Sequence, residues 1–167
     1  MGFSGSSKVA LVLHWLPAAF AVAVIAGEST ATMGAGHTSR WLLPIWIHLF
    51  GPISPERWDV VHHYIRKTGH FVGYGLVSLS FFYGWRYSLS RERSGARSIL
   101  RRAISLALVC TLFVASADEF HQSFVPGRTS SPYDVALDMC GALLMQLVVM
   151  ALFKLLARSG DSRMVPA

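Results

Sequence analysis

Every apolar run long enough to cross a bilayer in this 167-residue chain ends in charges that do not belong in lipid. At one end of the second run stand His62, His63, Arg66, Lys67 and His70. At the ends of the third and fourth stand Asp118, Glu119, Gln122, Arg128, Asp134 and Asp138. Ionisable groups at the margin of a membrane segment are costly unless they are paired, hydrated or used. Both signs are present here and several segments contribute them. The sequence therefore predicts that they converge on one site.

Hydrophobic residues make up 53% of the chain and charged residues 14%, against about a quarter charged in a soluble domain. The expected class is an all-α integral membrane protein with a single domain over residues 1–167. The net charge of +6 would suit nucleic acid. The basic residues flank apolar runs instead, as they do in a membrane protein with a basic cytoplasmic face, so no nucleic-acid partner is expected. Cys110 and Cys140 lack metal-ligand spacing and read as small buried hydrophobes.

The predicted spans are residues 8–27, 59–85, 103–122 and 134–156. The first contains Pro17, which can kink it. Its apolar core, Val9 to Ala26, exceeds the 7–15 residues of a signal-peptide core, and no Ala-x-Ala site follows. It is read as a retained helix. A polar loop from Glu28 to Arg40 leads to the apolar stretch 41–51, which is interrupted by Pro44. That stretch is too short for a core of about 30 Å. It is expected to be a short interfacial or re-entrant helix, with Trp41 and Trp46 at headgroup level. Pro126-Gly127 predicts a turn between the third and fourth spans.

With the N-terminus inside, the inner segments hold ten basic residues against two acids, and the outer ones five against seven. This split predicts both termini in the cytoplasm. Every charged cluster then falls on the extracytoplasmic side.

His63, Lys67, His70 and Tyr74 are spaced four, three and four residues apart, which places them on one helix stripe. Asp118 and Gln122 are one turn apart, as are Asp134 and Asp138. Asp134 also has a capping role open to it at a helix start. Arg128 follows the predicted turn and is placed either to pair with the acids or to grip a phosphate.

Two motifs carry a resemblance. One is Arg66-Lys67-x-x-His70-Phe71-x-x-Tyr74-x-Leu76. The other is Asp118-Glu119-x-x-Gln122-x-x-x-Pro126-Gly127-Arg128-x-x-x-x-x-Asp134, and Glu28-Ser29 and Thr38-Ser39-Arg40 lie upstream. Together they resemble the VanZ family. The family often has Asn where Asp138 stands. The resemblance implies a multi-pass protein of the bacterial cytoplasmic membrane. It also implies a link to glycopeptide resistance, specifically to teicoplanin, without naming a reaction.

The residues and the resemblance lead to an extracytoplasmic site for an anionic lipid or lipid-linked cell-envelope headgroup. A phospholipid, a polyprenyl-phosphate precursor and a lipoglycopeptide all fit that description. The catalytic candidates are His70, Glu119 and Asp118, with His70 and Glu119 expected to pair. The binding candidates are Arg40, Arg66, Lys67, Tyr74, Gln122, Arg128, Asp134 and Asp138. No metal or cofactor is called for, since Lys67 and Arg128 would repel a cation. A non-catalytic structural or binding module and a small proton-coupled transporter remain as alternatives.

Overall fold

The computed structural model describes residues 4–126, 128 and 130–161. Gly127, half of the predicted turn, lies outside the described residues, as does the end of the chain from 162 onward. The described residues form five α-helices and one 3-10 turn, with no strand among them. The helices are α1 (Ser4–Glu28), α2 (Ala35–Phe50), α3 (Pro55–Ser90), α4 (Ala96–Gln122) and α5 (Pro132–Asp161). The 3-10 turn, Ala31–Met33, joins α1 to α2. Three stretches are long and apolar enough to cross a membrane: Ser7–Glu28, Ala96–Gln122 and Pro132–Leu156.

Most boundaries extend past the predicted spans. The predicted polar loop Glu28–Arg40 is largely structured, because α2 already begins at Ala35. The connection left between the second and third predicted spans, residues 86–102, is also shorter than those spans imply, since Arg97, Arg101 and Arg102 belong to the first turns of α4. Arginine is a good helix former, so positive charge does not delay that helix. α1 runs unbroken through Pro17. The turn from α2 to α3 is set by local chemistry. Gly51 takes φ +88°, which favours glycine, and Ser54 caps α3 with Pro55 in its first turn. Glu56 follows in that turn. Its carboxyl titrates below the usual value because its own backbone N–H donates to it and, secondarily, because the Ser54 hydroxyl does.

α3 is the central helix. It packs against α1, α4 and α5, and α4 packs against α5. α1 leans on α3 and barely touches α4. At 36 residues and about 1.5 Å per residue, α3 is roughly 54 Å long, well beyond a hydrocarbon core of about 30 Å. Its polar first turns and its apolar later turns thus have room for two environments.

The packing differs from that of a soluble bundle in how many small residues lie inside and how many large apolar ones lie outside. Beside Tyr74, Phe82 and Leu89, many small residues lie in the interior: Ala18, Ala103, Ala107, Ala115, Ala142, Ser78 and Thr111 are all buried. Phe20, Phe113, Leu144 and Leu156 point outward. In lipid, burying large apolar groups gains little, whereas small residues let helices approach and gain van der Waals contact. Cys140 is exposed and Cys110 half-buried, so the expectation of two buried cysteines is corrected. An outward Cys140 is still surrounded by apolar material if lipid covers that face. Midway along the bundle, Gln146 donates to the Ser78 carbonyl (3.1 Å) and hydroxyl (2.8 Å), tying α5 to α3.

α3 and α5 cross closely. A Cβ on Gly141 would lie 1.9 Å from the Phe71 carbonyl oxygen, and one on Gly75 would lie 3.3 Å from the Gly141 oxygen. Gly69, in contrast, has nothing within 4 Å of that position. Gly141→Ala is therefore expected to lose about 1–3 kcal/mol or more from overpacking. Gly69→Ala should be neutral or gain up to about 1 kcal/mol from helix propensity. Thermal unfolding of the two variants in detergent checks this. Equal stability would mean that the crossing is not as close as described.

Candidate functional site

The end of α1, the start of α3, the end of α4 and the start of α5 lie together, and they bring the charged residues with them. Two cavities open here, of about 150 and 300 Å³. They share Arg66, His70, Gln122 and Arg128 in their walls. The smaller one adds Glu28, Met33, Thr38 and Asp118. The larger adds Asp59, His62, His63, Lys67 and Asp134. Of the expected residues, Arg66, Lys67, His70, Asp118, Gln122, Arg128 and Asp134 line these two cavities.

The pairings follow from which helices cross closely. Gly141 brings α5 onto the α3 backbone at Phe71, beside His70. Asp138, nearly one turn before Gly141, therefore meets His70: the Nδ1–Oδ1 distance is 3.4 Å, and the Asp138 side chain is fully buried. One turn outward, Lys67 forms an ion pair with Asp134. From α4, Asp118 accepts hydrogen bonds at Oδ2 from the Tyr74 hydroxyl (2.9 Å) and the Gln122 amide (3.0 Å). Its Oδ1 is buried without a hydrogen-bond partner, as are both oxygens of Asp138.

The expected pairing of His70 with Glu119 is corrected. Glu119 is buried but lines neither cavity. Its Oε2 accepts the Ser131 N–H (2.8 Å), and its backbone carbonyl accepts the Ser130 hydroxyl (2.7 Å). It secures the chain entering α5. Capping falls to Ser131, whose hydroxyl accepts the Tyr133 N–H at 3.2 Å. Asp134 is thereby released to Lys67. Arg40 is exposed on α2 and lines neither cavity.

The arginines behave unexpectedly. Arg66 and Arg128 both donate to the backbone carbonyl of Met33, at 3.5 and 3.4 Å, and Arg128 also donates to the carbonyl of Glu28. Among the described residues, neither guanidinium has a carboxylate at ion-pair distance. The Arg128 Nε is buried without a hydrogen-bond partner. Nitrogens that share one acceptor lie within about 7 Å of each other. At an effective dielectric of about 20, two unit charges at that separation repel by roughly 2 kcal/mol.

Three further contacts roof the site. Thr38 bonds His62 (3.0 Å), the Trp58 indole N–H donates to Ser39 (2.6 Å), and Ser29 bonds His121 (2.8 Å). The first two clamp α2 to α3. His62 and the Met33 carbonyl are site components that the candidate list did not contain. A carbonyl leaves no sequence signal, and only the Thr38-Ser39 motif hinted at the clamp. Among the described residues, no three His, Cys, Asp or Glu side chains are grouped so as to hold a metal ion.

A double-mutant cycle on stability separates the two possible pairings. His70 with Asp138 should show coupling of about 0.5–3 kcal/mol, and clearly more than His70 with Glu119. The reverse order would restore the pairing expected from sequence.

The family model described as VanZ/LLP1 matches residues 9–154. Among curated proteins, the chain is similar to "Uncharacterized protein C11E3.10" of Schizosaccharomyces pombe, with 33% identity over 82 residues. That match covers 49% of this chain and 44% of the yeast protein, so it spans less than half of the relative. No solved structure matches. With the family's pattern running through α1, α3, α4 and α5, the chain belongs to the VanZ/LLP1 family.

Proposed function

We propose that the polar chamber binds the phosphate of an anionic lipid or lipid-linked cell-envelope headgroup. The observation that carries this is the Arg66–Arg128 pair, two guanidinium groups directed at one carbonyl with no acid at ion-pair distance. A phosphate between them replaces their repulsion with charge-assisted hydrogen bonds. Lys67 is neutralised by Asp134 and acts less directly.

A lateral groove favours a lipid over a free anion. It holds about 420 Å³ between α1 and α4, where those helices barely touch. Its walls are mainly apolar, with Val22, Ala26, Phe113, Val114 and Ala117, and it shares Ile25 and Asp118 with the smaller polar cavity. A tail in the groove and a headgroup in the chamber are thus contiguous. The acyl chain of a lipoglycopeptide such as teicoplanin has the same amphiphilic form, which is how this reading accommodates the family's association with resistance.

In this reading α3 is a fourth span and α2 lies at the membrane interface. The split of basic residues supports both termini in the cytoplasm and the chamber outside, in what this reading takes to be a bacterial cytoplasmic membrane. A membrane-impermeant thiol reagent should label Thr32→Cys on intact cells and spare Ser94→Cys. The opposite pattern reverses the orientation.

Native mass spectrometry of purified protein tests the binding. Wild type should retain a phosphate-bearing lipid. Arg66→Ala and Arg128→Ala should each weaken retention by about 10- to 100-fold, as expected for the loss of a hydrogen bond to a charged group. Lys67→Ala should have a smaller effect. Retention unchanged in both arginine variants would overturn the reading.

A further inference from the structure

We propose that the chamber is a phosphomonoesterase site in which His70 takes the terminal phosphoryl group of a lipid phosphate onto Nε2. This inference rests on the phosphate-binding reading and assigns it a reaction. His70 is the titratable group in the wall of both cavities, alongside Arg66 and Arg128. Its Nδ1 is buried 3.4 Å from Asp138 Oδ1. An N–H on Nδ1 facing a carboxylate leaves the lone pair on Nε2, the nitrogen on the other side of the ring. Asp138 is fully buried, neither of its oxygens has a hydrogen-bond partner, and His70 Nδ1 is the basic atom at ion-pair distance from it. It is a positioning residue that fixes the tautomer and balances the charge that appears on the ring. The arrangement is that of a nucleophile oriented by a third group, with two guanidinium groups next to it for the oxygens that carry the developing charge.

Asp118 completes the site by its location. It lies in the wall of both the polar cavity and the apolar groove. The oxygen joining headgroup to tail must lie where those two spaces meet. In the first step, Nε2 attacks phosphorus, the bond from phosphorus to the lipid oxygen breaks, and the departing alkoxide takes the proton of Asp118 in its acid form. In the second step, water gives a proton to the Asp118 carboxylate and attacks phosphorus. The phosphorus–nitrogen bond breaks, inorganic phosphate leaves, and the ring is neutral again. The sum is lipid phosphate plus water giving lipid alcohol plus phosphate, with no oxidant or second substrate.

The test uses full-length protein in detergent with dioctanoyl phosphatidic acid and, separately, farnesyl monophosphate, both labelled with ³²P in the phosphate. Expected is phosphate release from at least one, together with an acid-labile, alkali-stable label on the protein. The substrate that reacts distinguishes a glycerolipid from a prenyl tail. His70→Asn should carry no label and release phosphate about 100-fold more slowly or worse. Asp118→Asn should slow release by a similar factor. Asp138→Ala should lower kcat with KM unchanged, and Asp138→Asn, which keeps an acceptor for the Nδ1 proton, should be much milder. Binding by wild type without release or label would overturn this reaction and leave the binding reading standing. Release unaffected by His70→Asn would also overturn it. Absence of binding by wild type would remove both.

Discussion

The close crossing of α3 and α5 positions the rest of the molecule. Gly141 has no side chain, so the two backbones meet at Phe71 with no room for even a methyl group. From that point the helix period fixes the partners on either side. His70 meets Asp138, and Lys67 meets Asp134 one turn further out. In the other direction Gln146 bonds Ser78. The crossing lies near the boundary between the polar and apolar parts of α3. The same contact that packs the helices therefore brings a histidine and a buried carboxylate within reach of each other.

The polar end divides its charges unevenly. Asp134 and Asp138 of α5 take Lys67 and His70 of α3, and Asp118 of α4 is held by Tyr74 and Gln122. The two arginines are held on backbone carbonyls at the α1–α2 connection. Carbonyl dipoles orient a guanidinium without cancelling its charge. The result is a preorganised pair of guanidinium groups, which an anion can meet without first breaking an ion pair. An apolar groove at its side makes an amphiphile a better match than a free anion.

Much of this was legible in the sequence, because membranes impose strong rules. The apolar runs located α1, α4 and α5, and the charge at their ends located the chamber. Specific partners were not legible. Glu119 and Asp138 are both acids near a helix end, and sequence spacing does not reveal which of them faces α3. That choice is made by Gly141, whose significance depends on the backbone opposite it. The role of Ser131 in capping α5 was hidden for a similar reason, since Asp134 fits a cap equally well until Lys67 is seen to hold it. The site of the two arginines was unreadable because their shared acceptor is a main-chain oxygen, and every residue carries one.

The central claim is that Arg66 and Arg128 form the seat of a lipid phosphate. It is tested most directly by a crystal structure with a lipid phosphorothioate, using the anomalous signal of sulfur. The account predicts that signal between the two guanidinium groups, with the lipid chain running between α1 and α4. A signal elsewhere, or arginines that part to separate carboxylates while the chamber takes no lipid, would contradict it.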